Sequence, residues 1–95
     1  MDTTGLPGAE LIEAGIEDLH RERETVESLL VAIGAPRLRR IGLEIPPTPP
    51  DPENRLYAVL AAQNSDLAHG RYNALIRRLV SFERAAERFS TARLE

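Results

Sequence analysis

Cysteine, lysine and tryptophan are all missing from this chain of 95 residues. Without cysteine there is no disulfide framework, no thiolate zinc site and no thiol nucleophile. No run of about 18 apolar residues occurs, which leaves no candidate for a membrane span. The first ten residues, MDTTGLPGAE, lack the basic and apolar regions of a signal peptide. A cytoplasmic location is therefore the default expectation. No stretch alternates apolar and polar residues over the length of a strand, so the expected fold class is all-α. The absence of lysine makes every basic side chain an arginine, as compositional bias alone would do. A net charge of −3 argues against a general nucleic-acid binder.

The strongest positive signal runs from Tyr72 to Phe89. Tyr72, Leu75, Leu79, Phe82, Ala86 and Phe89 recur at intervals of three and four, which places them on one stripe of a helix. Ile76 and Val80 widen the stripe into a core-facing surface. Arg71, Arg77, Arg78, Arg84 and Arg88 fall outside the stripe and form a candidate basic face. An earlier stripe, Ile12, Ile16, Leu19, Val26, Leu30 and Ile33, predicts a long first helix from Gly8 or Ala9 to Ile33. Gly34 is its expected stop, supported by Pro36. The two helices differ in charge. Seven acids lie between Glu10 and Glu27, against Arg21 and Arg23, while six arginines lie between Arg71 and Arg93, against Glu83 and Glu87. Apolar stripes and opposite rims together predict that these two helices pack side by side.

Shorter elements fill the interval. Pro36 suits the first turn of a short helix ending at Gly42. Residues 45–51 are dense in proline and read as a stiff, extended linker. Asp51, Pro52 and Glu53 mark another helix start. A turn is expected over Gln63 to Asp66, with Ser65 capping the basic helix that follows to Ser90. Gly70 inside that helix suggests a close approach of another backbone. Residues 1–7 and 91–95 read as frayed ends of a single domain covering 1–95. The outcome is a small bundle of two long and two short helices. Its stripes look wider than one short chain can cover, so completion by a homodimer is expected.

Few residues point to chemistry. Arg23 falls in the gap of the first stripe, where burial would demand a carboxylate or anionic partner; the plainer alternative is that it snorkels to water. Arg23, Glu22 and Gln63 form the candidate polar site. His20 and His69 lie near acids, Asp66 and His69 three apart, but a metal needs three or four convergent ligands. No metal and no cofactor is expected. These features suggest a small dimerising or partner-binding module. The alternatives are a small helical enzyme with a site around Arg23, and an antitoxin-like or regulatory subunit that needs a second protein.

Overall fold

The gap at Arg23 in the first stripe is a corner in the chain. The computed structural model describes residues 3–94, and side chains as far as residue 89. Helix α1 spans Ala9–His20 and α2 spans Val26–Ile41. At the end of α1, Glu22 N donates to Leu19 O at 3.1 Å and Arg23 N to Asp18 O at 2.8 Å. This pair of bonds is a Schellman turn, and it holds Glu22 in the left-handed region at φ 56°. Glycine usually takes that place. A glutamate there hides the stop from a reading of the sequence.

Thr25, extended at φ −127°, caps α2. Its Oγ1 accepts from Ser28 N at 3.0 Å, and Ser28 Oγ accepts from Thr25 N at 2.8 Å. The two form a capping box with serine in place of the usual Glu or Gln. Thr25 Oγ1 also donates to Asp18 Oδ2 at 2.7 Å, so one aspartate holds both sides of the corner. The single helix expected from Ala9 to Ile33 is thus two helices packed on each other. Gly15 permits their approach: a Cβ there would lie 2.3 Å from Glu27 O and 2.4 Å from Val31 Cγ2.

Helix α2 runs through both expected stops. Gly34 is buried inside it, where a Cβ would meet Leu79 Cδ1 at 2.8 Å. Its role is close packing rather than termination. Pro36 sits on the exposed face. An interior proline costs about 3 kcal/mol. Continuing the helix buries Leu38 and Ile41, at about 1.5–3 kcal/mol each, which offsets that cost. The short helix expected from Pro36 is therefore the last part of α2. Gly42, left-handed at φ 115°, ends it as expected.

Residues 43–51 form no helix. Arg39 Nη2 donates to the carbonyls of Ile45 and Pro46, at 3.2 and 3.0 Å, and so pins this proline-rich strap to α2. Helix α3 spans Pro52–Gln63. Asp51 precedes it, but its carboxylate accepts from Asn54 Nδ2 instead of capping the backbone. The next turn is set by Asn64, not Ser65: Asn64 Oδ1 accepts from Asp66 N at 3.1 Å and Leu67 N at 3.3 Å. Helix α4 spans Ala68–Leu94, so its backbone continues through most of the tail expected to fray. Glu95 lies outside the described residues, as do Met1 and Asp2 at the other end. Thr3 is buried, and its Oγ1 donates to Glu13 Oε1 at 2.7 Å, which ties the start of the chain to α1. No backbone approaches Gly70, where a Cβ would meet nothing within 4 Å.

Four helices and no strand make up the described residues. Helix α1 packs on α2, and α4 packs on α2 and α3. Ile12, Leu30, Leu38, Leu56, Leu60, Leu79 and Phe82 meet in one core. Leu79, Phe82 and Ala86 are buried within one chain, while Tyr72, Leu75, Ile76 and Val80 of the same stripe are half-buried and Phe89 is exposed. Of the first helix as expected, the part from Val26 onward lies in α2 and packs on α4, whereas the acidic α1 does not lie along it. Glu10 and Arg78 pair between them at 2.6 Å. Across α2 and α4 the polarity is the reverse of the expected one, with Arg37 facing Glu83 and Glu87.

Candidate functional site

Helix α1 meets α4 at its first turn. A Cβ on Gly8 would lie 3.3 Å from Arg78 O and 3.8 Å from Phe82 Cβ. From there α1 follows α2, and the seam between α1 and α4 opens. It forms a cavity of about 660 Å³ with apolar side chains from all four helices: Leu11, Val26, Val59, Ala74 and Leu75. Arg71 and Arg78 stand on the α4 side. Glu24 and Glu27 stand on the side of the α1–α2 corner. A second cavity of about 290 Å³ lies between Pro7, Gly8, Arg77 and Ser81. The two share Ala74 and Arg78, so the Glu10–Arg78 pair crosses the seam where they meet.

The charges around the larger cavity are loosely held. Arg71 Nη1 donates to the neutral Gln63 Oε1 at 2.7 Å. Arg78 pairs with Glu10, and both side chains are exposed. Glu24 pairs with Arg55. Glu27 has no ion pair among the described residues. No buried side-chain nitrogen or oxygen lacks a hydrogen-bond partner among the described residues.

The polar residues singled out in the sequence divide between two places. Glu22 and Arg23 border a separate cavity of about 230 Å³, beneath Pro47 and Pro49 of the strap and beside Leu19 and Ser28. Gln63 borders the seam. Arg23 is 54% exposed, with Nε 3.7 Å from Asp18 Oδ1. It neither fills a core position nor needs to snorkel from one, because α1 ends before it. Of the basic face, Arg71 and Arg78 border the seam, while Arg77, Arg84 and Arg88 are exposed and have no ion pair among the described residues. His69 Nε2 lies 3.2 Å from Asn73 Nδ2, and among the described residues it makes no ion pair with Asp66. Among the described residues, no three His, Cys, Asp or Glu side chains group as a metal would require. No described helix is long and apolar enough to cross a membrane.

One titratable group was not foreseen. Glu83 is 5% exposed, and its Oε1 lies 3.5 Å from Arg37 Nη1. Burial pushes its carboxyl above the ordinary value; Arg37 pulls it down and Glu87 adds to the rise. The same Arg37 donates to Glu87 Oε2 at 2.6 Å. That bond to Glu87 is the main reason the guanidinium is raised above its own ordinary value. Gly34 makes room for the carboxylate, since a Cβ there would lie 3.1 Å from Glu83 Oε2. The signal in the sequence is an acid beside Phe82 and four residues after Leu79, at the edge of the apolar stripe.

Comparison of the chain with protein-family models, with curated proteins and with solved structures gives no match.

Proposed function

We propose that this chain is a small protein-binding module whose contact surface is the seam between α1 and α4. One observation carries the reading: every helix contributes apolar side chains to an open cleft that none of the described residues fills. Away from the cleft the core side chains Ile12, Leu38, Leu56 and Phe82 are fully buried, while Tyr57, Leu67 and Phe89 stand exposed. A cleft with an apolar floor and charged sides is the arrangement of a binding surface, with a desolvated centre and a polar rim. A regulatory subunit that depends on a second protein is a special case of this role. An enzyme working through Arg23, Glu22 and Gln63 has less support, because those residues border two different cavities.

The test is photo-crosslinking in cells that make the protein. A benzophenone amino acid replaces Ala74 in the seam or, as control, Ala58 on the exposed side of α3. The expected result is an adduct from position 74 and none from 58, with the attached chain identified by mass spectrometry. A second copy of this chain in the adduct would make the module a homodimer; a different chain would make it a heteromeric subunit. No adduct at 74, or equal yields at both positions, contradicts the proposal.

A further inference from the structure

We infer that the seam takes an amphipathic α-helix of another protein, with acidic side chains on the flank facing α4 and basic side chains on the opposite flank. The inference rests on the binding-module reading and specifies its partner. Shape comes first. The seam is concave and open to solvent, and two such clefts laid face to face leave a void between them. The occupant must be convex. Helices pack with axes about 8–10 Å apart, and a cleft walled by helices accepts another helix as a missing member of the bundle.

Length follows from α4. Arg71 and Arg78 are seven residues apart, about 10.5 Å along the axis or two turns. A matching helix presents anchors at i, i+3 or i+4, and i+7 to Leu11, Val26, Val59 and Leu75.

Charge sets the flanks. Arg71 is held by a neutral amide, and Arg78 by one exposed glutamate. Exposed pairs of this kind contribute little, so partner carboxylates can replace them. Glu27 has no ion pair among the described residues and stands across the cleft from both arginines. A partner with acid toward α4 and base toward the α1–α2 corner satisfies both sides. The reversed partner sets like charges together, which disfavours that orientation. A small molecule fits less well, since small-molecule sites converge polar groups on the ligand. Here Arg71 and Arg78 stand on one side of the cleft and Glu24 and Glu27 on the other, so the charged groups flank the apolar floor rather than converge on one point.

The probe is a displayed library of helical peptides with leucine anchors at i, i+4 and i+7 and random flanking residues, selected against the purified full chain. Enriched peptides are then synthesised and their affinities measured at physiological salt. The expected sequences carry Asp or Glu on one flank and Lys or Arg on the other. Ala74→Trp, which fills the cleft from an exposed position, should weaken binding about tenfold or more, the loss of one central anchor. Ala58→Trp should leave it unchanged. Arg71→Glu should abolish the preference for an acidic flank, and circular dichroism should show each variant folded. Enriched peptides with no charge bias overturn the inference about the partner while leaving the binding surface in place. Failure to enrich any peptide that Ala74→Trp displaces overturns both.

Discussion

Asp18 joins three groups that lie within seven residues of it. Its carbonyl accepts from Arg23 N, its carboxylate accepts from Thr25 Oγ1, and Arg23 stands over the other carboxylate oxygen. Removing the carboxylate takes away the acceptor of the Thr25 hydroxyl and the partner of Arg23, while the backbone carbonyl that closes the end of α1 remains. Asp18→Ala is expected to cost about 1–2 kcal/mol in urea unfolding, the worth of a hydrogen bond to a charged group. Asp66→Ala, on the exposed α3–α4 turn, should stay within about 0.5 kcal/mol. Glu83 calls for a measurement against pH. Its folded pKa is raised by burial, so the folded chain holds this proton more tightly than the unfolded chain. Stability from that proton is present below the ordinary carboxylate pKa and is lost as pH rises through the folded value. Glu83→Gln keeps the shape without the charge. Its stability relative to the parent chain should therefore rise with pH across that window. A difference independent of pH would mean that Glu83 titrates like an exposed acid.

At the scale of elements, what the sequence made legible depended on which residue carries each signal. The end of α2 at Gly42, the break at the prolines and the start of α3 at Pro52 are written in residues that each act by one mechanism. The corner after His20 is written in Glu22 and Thr25. A left-handed glutamate is rare, and the box closed by Ser28 is weaker than one closed by Glu. Gly34 and Pro36 misled for the opposite reason, since tertiary burial overrides a local stop. Glycine shows the same division. Gly15→Ala puts a methyl group against the Glu27 carbonyl and is expected to destabilise by about 1–3 kcal/mol or more, as overpacking does. Gly70→Ala meets nothing and should stabilise by up to about 1 kcal/mol through helix propensity. Thermal unfolding of the two variants should shift in opposite directions.

Across the whole molecule, the all-helical class was legible because apolar periodicity sets it. Most of the core was legible for the same reason. The cleft was not. It exists because α1 turns back at residues 21–25 and packs on α2, leaving part of α4 uncovered, and the corner was the feature the stripe concealed. Arg71 and Arg78 could be placed on one helix from sequence, but not opposite Glu27. The central claim is that position 74 lies in an open seam which a helix can fill. The chain has no cysteine, so a single introduced thiol reports that directly. In the free protein, Ala74→Cys should react with a maleimide at a rate close to that of Ala58→Cys. A saturating helical peptide of the class inferred above should slow position 74 strongly and leave position 58 unchanged. Slow labelling at 74 in the free protein would mean that α1 closes on α4 and there is no cleft, and unchanged labelling with the peptide bound would place the binding surface elsewhere.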